Sequence, residues 1–447
     1  MLKKIKRLSY VQLIALGYLI IISIGTGLLL LPISKHTGMH ADFVQTLFTA
    51  TSATCVTGLV VFDTFTQWSL FGQIVILVLI QVGGLGFMTV ITLFSFMFRR
   101  KIGLKERGLL RESISSMNIG GIVRLIKKIL LVTFLFEGIG ATLLAIRFTP
   151  KMGLMKGIYY GVFHAVSAFC NAGFDIMGKY GQYSSLTTFS GDKITVLTIS
   201  ILIIIGSIGF FIWEDLYRNN YRISRYRLHT KIVLTVTAIL IVVGTVSFFL
   251  LEKDNTLVGL SLFDKFTNAF FCAVTPRTAG FNTVDTAKLN PASNILTTVL
   301  MFIGGSPGST AGGIKTTTLA VILISAWSTL RNKQGDHIFK RRLEDDSLNR
   351  AIAVIVLNLS FIIIATILIS ASNNSIPVNE IMFETTSAIG TVGLTTGITR
   401  SLNEFAQVIL IILMYTGRVG SLSFALLFTL RNAPAATQRP VERINIG

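Results

Sequence analysis

Four short segments of this 447-residue chain align with one another without gaps, and such an internal repeat restricts the fold more than any other property of the sequence. They run from Phe48 to Leu59, Phe163 to Phe174, Phe270 to Phe281 and Phe383 to Leu394. Each ends in a glycine followed by Leu or Phe, with a phenylalanine ten residues before that glycine. The glycines, Gly58, Gly173, Gly280 and Gly393, lie 115, 107 and 113 residues apart, a period near one quarter of the chain. A second signature follows in phase, a G-x-x-G at Gly83–Gly86, Gly206–Gly209, Gly305–Gly308 and Gly417–Gly420. Small residues at this spacing also serve close packing between membrane helices. Four instances in phase with four loops indicate one shared architectural position.

The sequence between these signatures is apolar. The chain is 51% hydrophobic and 14% charged, where soluble domains carry about 25% charged residues. A bilayer core of roughly 30 Å needs about 20 apolar residues in a helix. Spans are expected near 11–31 and 70–98, 122–147 and 193–213, 230–251 and 292–329, and 351–370 and 405–430. The short segment inside each pair is too short to cross but long enough for a re-entrant helix. Irregular backbone at membrane depth is tolerated only when it lines a cavity or is buried in protein, so four such loops would surround one axis. The expected fold is an all-α polytopic membrane protein of about eight spans around a pseudo-fourfold pore. Its repeats are drawn at 1–112, 113–227, 228–345 and 346–447.

A net charge of +19 suggests nucleic acid until position is considered. Of 40 Lys and Arg residues, 27 fall in five clusters: Lys3–Arg7, Arg99–Lys128, Arg218–Lys231, Arg331–Arg350 and Arg431–Arg443. They recur after every second span. That is the positive-inside pattern, which predicts a multi-pass plasma-membrane protein with both termini cytoplasmic and no nucleic-acid partner. The N-terminal apolar run exceeds a signal-peptide core and lacks a small-residue cleavage site, so it reads as a mature helix. Cys55, Cys170 and Cys272 form no CxxC pair, and no two of the five histidines flank a glutamate at zincin spacing, so a metalloenzyme is not expected.

A dehydrated cation needs oxygen ligands, which rings of backbone carbonyls supply. Aiming successive carbonyls at one axis requires positive φ, which glycine reaches at no steric cost. The candidate ligand segments are Thr54-Cys55-Val56-Thr57-Gly58, Phe169-Cys170-Asn171-Ala172-Gly173, Pro276-Arg277-Thr278-Ala279-Gly280 and Ile389-Gly390-Thr391-Val392-Gly393. The alternative is four plain turns closing helical hairpins, which in water would carry more Asn, Asp and Ser.

These segments resemble the four selectivity-filter loops of the Trk/Ktr/HKT superfamily of potassium transporters. Over essentially its whole length the chain is similar to the membrane subunits of bacterial Ktr systems, the KtrB/KtrD type. Repeats two and three depart in detail, carrying Phe169-Cys170-Asn171 and Pro276-Arg277-Thr278. The resemblance implies that the four glycines form the constriction, with potassium the transported ion at the filter and sodium a coupling or activating ion. Glycine at all four positions resembles potassium-selective members rather than sodium-selective plant relatives. It also implies a homodimer on a cytosolic ring of nucleotide-binding regulatory subunits of the RCK/KTN type (KtrA/KtrC-like), with no organic cofactor on this chain. The basic segments 99–111, 218–227 and 331–350 are candidate docking surfaces for that ring or for anionic lipid.

The second span of repeat three is interrupted at residues 304–316. Gly313 is followed by Ile314 before Lys315, so the segment misses the G-x-x-x-x-G-K-[ST] spacing of a phosphate loop, and it follows an apolar run rather than a βαβ pattern. It is too rich in glycine and hydroxyl residues to hold a helix. It resembles the family's intramembrane gate loop, with Gly304, Gly305, Ser306, Gly308, Gly312, Gly313 and Lys315 as its candidate residues. Arg418 lies inside the last span, where a charge costs about 2.5–3.5 kcal/mol on insertion scales; the resemblance implies that it faces the gate loop. Arg277 is expected to point behind its loop toward Glu384. Glu137 reads as a helix contact or an ion ligand. Asp63, Asp175 and Asp285 follow three of the loops, where they would concentrate cations at the mouth or simply cap loops. Two other classes compete. An alternating-access carrier would show two halves rather than four quarters, and an enzyme would need a reactive constellation that is not seen.

Overall fold

The computed structural model describes residues 9–86, 89, 92, 95, 103–113, 121–332, 335–344 and 346–428. Repeat one opens with α1 (Tyr10–Leu30), started by a reciprocal cap in which Ser9 and Gln12 each accept the other's backbone N–H. Then come α2 (Phe43–Thr54), the single turn α3 (Thr64–Gln67), α4 (Leu70–Leu85) and α5 (Leu104–Ser113). Repeat two holds α6 (Ile122–Met152), α7 (Leu154–Phe169), α8 (Lys193–Ile208) and α9 (Phe210–Arg218). Repeat three holds α10 (Leu228–Glu252), α11 (Leu262–Val274), α12 (Pro291–Phe302) and α13 (Thr316–Leu330). A hairpin of β1 (His337–Ile338) and β2 (Arg341–Arg342) leads to repeat four, with α14 (Ser347–Ser372), α15 (Val378–Gly390), α16 (Glu404–Val419) and α17 (Ser421–Phe428).

The first helix of each repeat, α1, α6, α10 and α14, is long and apolar enough to cross a bilayer. Each leaves large apolar side chains outward, such as Ile24, Leu131, Val242 and Ile367, all more than half exposed. A helix that is apolar outward as well as inward belongs in lipid. The short helices α2, α7, α11 and α15 pack against the first helix of their own repeat. Each also packs against the second span of the preceding repeat: α7 on α4, α11 on α8, α15 on α12 and α2 on α16. The four units therefore close on one another in chain order.

The second spans of repeats one, two and four differ from their expected continuous form. Each helix stops at the second glycine of its G-x-x-G: Gly86 at φ +78°, Gly209 at +109° and Gly420 at +96°. After Gly209 the chain turns by 89° into α9. A positive φ ends the α-helical ladder, and glycine adopts it without the penalty of a Cβ. In repeat three the break widens to everything between α12 and α13. The expected ends of the first and fourth repeats' second spans, residues 99–102 and 114–120 of the Arg99–Lys128 cluster, and Lys3–Arg7 and Arg431–Arg443 lie outside the described residues.

Candidate functional site

The four loops meet, and the contacts are made by the glycines themselves. A Cβ on Gly58 would sit 2.5 Å from the Ala172 carbonyl oxygen; on Gly173, 2.8 Å from that of Ala279; on Gly280, 2.6 Å from that of Val392. On Gly393 it would collide with the Thr57 carbonyl oxygen, which closes the ring. Every glycine thus faces the carbonyl one residue ahead of the next repeat's glycine, with no room for a side chain.

Positive φ was expected at the glycines alone. It is found there, between +69° and +92°, and also two residues earlier: Val56 at +58°, Asn171 at +58°, Thr278 at +71° and Thr391 at +51°. Alternating the sign of φ along a strand turns successive carbonyls to the same side. Non-glycine residues held in this region cost on the order of 1–3 kcal/mol each and persist only where the surroundings over-determine them. A hydroxyl residue at the end of each short helix supplies part of that restraint. Its carbonyl accepts the N–H of the residue before the ring glycine: Ser52 from Thr57 (2.8 Å), Ser167 from Ala172 (2.7 Å), Thr275 from Ala279 (2.9 Å) and Ser387 from Val392 (2.8 Å). The Oγ atoms of Ser52 and Ser387 accept the N–H of Gly58 and Gly393, and those of Ser167 and Thr275 donate to the Phe174 and Phe281 carbonyls.

Those bonds correct the gapless alignment in repeat three. The hydroxyl matching Ser52 is Thr275, five residues before its glycine rather than six, and the fully buried phenylalanine matching Phe48, Phe163 and Phe383 is Phe271 rather than Phe270. The third loop is one residue shorter. A recurring hydroxyl at the helix end, with one gap allowed, is the sequence signal of this register.

Arg277 and Glu384 do not pair. The buried Arg277 guanidinium donates from Nη2 to Thr237 Oγ1 at 3.3 Å, while Glu384 accepts the Thr399 hydroxyl. Glu137 stands behind the second loop, where its carboxylate takes Gln81 Nε2 at 3.2 Å and lies 3.9 Å from Cys170 Sγ.

Beneath the ring runs the segment between α12 and α13. Ser306 N and Thr310 N donate to the carbonyls of Ser207 and Gly206, and Thr310 Oγ1 donates to the Phe169 carbonyl at 3.2 Å. A Cβ on Gly312 would strike the Thr391 hydroxyl, so this segment lies directly against the fourth loop. Lys315 Nζ turns back to the carbonyls of Ala311 (2.7 Å) and Gly312 (3.1 Å). Arg418 ties three repeats together, donating to the Thr310 carbonyl at 2.5 Å and to the carbonyls of Gly83 and Gly84. The first glycine of the G-x-x-G is also explained. A Cβ on Gly83, Gly206 or Gly417 would strike the carbonyl of Thr54, Phe169 or Ile389, the first residue of each of those loops, whereas Gly305 faces Ala311 of its own segment.

Two cavities flank this layer. One of 120 Å³ is lined by all four ring glycines together with Asp63, Asp175, Asp285 and Arg400. The other, 270 Å³, lies on the far side against Gly308, Gly312, Lys315 and Arg418. Two of the three aspartates also cap short helical turns: Asp63 accepts Thr66 N and Asp285 accepts Ala287 N. Burial pushes the Asp175 carboxyl up to about 7, with the neighbouring Asp63 charge adding to the effect. Among the described residues no group of His, Cys, Asp and Glu could hold a metal ion.

Four re-entrant loops closed into one glycine ring between two cavities define a multi-pass membrane protein built around a single axis. The model of the TrkH cation transport proteins matches residues 12–436. The potassium/sodium uptake protein NtpJ of Enterococcus hirae is 40% identical over 99% of this chain and 98% of its own. Ktr system potassium uptake protein B of Bacillus subtilis is 42% identical over 93% of this chain and 92% of its own. The crystal structure of the potassium transporter TrkH from Vibrio parahaemolyticus shares the fold, with a TM-score of 0.71 at 17% identity over 92% of this chain and 84% of that one. This chain belongs to the TrkH family of cation transport proteins.

Proposed function

We propose that this chain is the membrane subunit of a Ktr-type potassium uptake system, in which the ion passes through the glycine ring as through a channel. The observation that carries this reading is the closed ring, in which each glycine faces the preceding carbonyl of the next repeat. Positive φ at Val56, Gly58 and their counterparts supports several carbonyl layers facing one axis. Four oxygens of the loops, Thr54 Oγ1, Thr57 Oγ1, Asn171 Oδ1 and Thr391 Oγ1, are buried with no hydrogen-bond partner among the described residues. Buried oxygens without partners are costly, and water or a cation held within the loops would lower that cost. The naming of relatives such as Ktr protein B as potassium uptake proteins supports potassium as the substrate, and that of NtpJ as a potassium/sodium uptake protein supports sodium as a second, coupling or activating ion.

The segment 304–316 acts as the gate, held closed beneath the ring by Arg418 and by its own Lys315. Positive clusters at the ends of the spans put both termini in the cytoplasm. The naming of the relatives as parts of a Ktr system supports a regulatory partner, which we take to be a nucleotide-binding cytosolic ring beneath a homodimer of this chain. Expression with such a partner in a potassium-uptake-deficient bacterium tests the reading. Growth at low potassium and rubidium influx are the expected results, and no cation flux despite membrane expression with the partner refutes it.

A further inference from the structure

One positive group lines the cavity into which all four ring glycines open. Arg400 follows Gly397, which at φ +101° turns the chain into a short 3₁₀ turn, and its Cζ lies 3.9 Å above the centre of the Tyr183 ring. Tyr183 belongs to repeat two but is fastened to repeat one, donating its amide to Asp63 Oδ2 at 2.9 Å and its hydroxyl to the Val61 carbonyl. The guanidinium of repeat four is therefore held over the mouth by a stack of fixed geometry. It is exposed and, among the described residues, forms no ion pair. The other charges facing the cavity are Asp63, Asp175 and Asp285, the last paired with Lys288 at 3.3 Å, while Glu384 lies buried beneath the same turn.

Asp63, Asp175 and Asp285 at the rim of one small cavity, with Asp175 only partly ionised near neutral pH, raise the local concentration of every cation, and of divalent ions most steeply. The local concentration of an ion of charge z varies as the exponential of z times the potential, so any factor gained by a monovalent ion is squared for a divalent one. A fixed positive charge in the same cavity removes most of that advantage from divalent ions at a modest cost to monovalent ones.

We propose that Arg400 is a specificity-determining residue of the mouth, which keeps Mg²⁺ and Ca²⁺ from occupying the entrance while monovalent cations pass. The proposal rests on the reading of function above, in which this cavity faces the entering ion.

The test is rubidium influx into cells expressing the full chain with its regulatory partner, titrated with external MgCl₂, for the parent, Arg400→Lys, Arg400→Gln and Arg400→Glu. Arg400→Lys keeps the charge and should match the parent. For each roughly threefold gain in apparent rubidium affinity on Arg400→Gln, the Mg²⁺ concentration for half-inhibition should fall about ninefold. Arg400→Glu changes two charges and should give about ninefold and about eightyfold on the same scale. Added choline chloride should shrink both shifts, because an exposed charge is screened. The proposal is overturned if rubidium and Mg²⁺ respond by equal factors, if neither responds, or if Arg400→Lys behaves as Arg400→Gln does. Absence of parent influx would overturn the functional reading itself, whereas parent influx with an unaltered Mg²⁺ response in all three variants would overturn this inference alone.

Discussion

Repeats one, two and four each break their second span at one glycine, whereas repeat three opens its second span over the whole stretch from Ile303 to Lys315. The same elements serve two purposes. In repeats one, two and four the first glycine of the pair lets the span press against the first carbonyl of the loop, and the second ends the helix just beyond it. Repeat three gives up that contact. Its loop is a residue shorter and carries Pro276 and Arg277, and its broken span reaches instead to the carbonyls of Gly206, Ser207 and Phe169 in repeat two. Fourfold likeness is kept at the ring, where each glycine meets a carbonyl of the next repeat, and abandoned in the segment beneath it. A segment held mainly by hydrogen bonds to its neighbours, rather than by its own helical ladder, can move without unfolding a span.

The sharpest way to break this comparison is at the ring, where all four repeats should behave alike. Gly58→Ser and Gly280→Ser each force a side chain onto a neighbouring carbonyl, 2.5 Å and 2.6 Å from the new Cβ. Overpacking of this kind costs about 1–3 kcal/mol, so rubidium influx through either variant should fall by roughly tenfold to a hundredfold. Equal losses would support one pseudo-symmetric ring. A harmless Gly280→Ser would mean that the shortened third loop stands outside it.

Arg418→Gln probes the asymmetric half. It strips charge-assisted hydrogen bonds from Thr310, Gly83 and Gly84, each worth about 1.5–3 kcal/mol, and also removes an insertion cost of about 2.5–3.5 kcal/mol. Membrane yield should hold, while influx in the absence of the regulatory partner should rise by about tenfold. An unchanged basal influx would assign Arg418 to packing alone.

The smallest effect is expected behind the third loop. Arg277→Gln removes a buried guanidinium that has one hydrogen bond, to Thr237, and nothing paired to its Nε or Nη1 among the described residues. Thermal stability in detergent should change by no more than about 1 kcal/mol, since losing the bond and relieving the buried charge oppose each other. A loss of several kcal/mol would reveal a partner for Arg277 that this conformation does not form.

Much of this was legible in the residues. The long apolar runs, the spacing of Gly58, Gly173, Gly280 and Gly393, and the glycine-rich interruption near Ser306 are local properties that any reader of the chain can see. The positive φ of Val56 and Thr391 was not legible, because both residues avoid that region unless neighbours compel them. Nor was the register of repeat three, where two adjacent phenylalanines, Phe270 and Phe271, compete for one position and only burial distinguishes them. The pairing of Arg277 with Glu384 failed for a related reason. Opposite charges on successive loops suggested a contact, yet Thr237 and Thr399 lie nearer in space.

By itself the sequence determined a membrane protein of four quarters, because hydropathy and glycine are read one residue at a time and bilayer thickness admits few solutions. Only the tertiary structure decided which carbonyl faces which glycine, which three repeats Arg418 joins, and that Arg400 lines the cavity beside the four ring glycines. Each of these is a contact between residues more than 100 positions apart, fixed by how the quarters close on one another and encoded in no single stretch of chain.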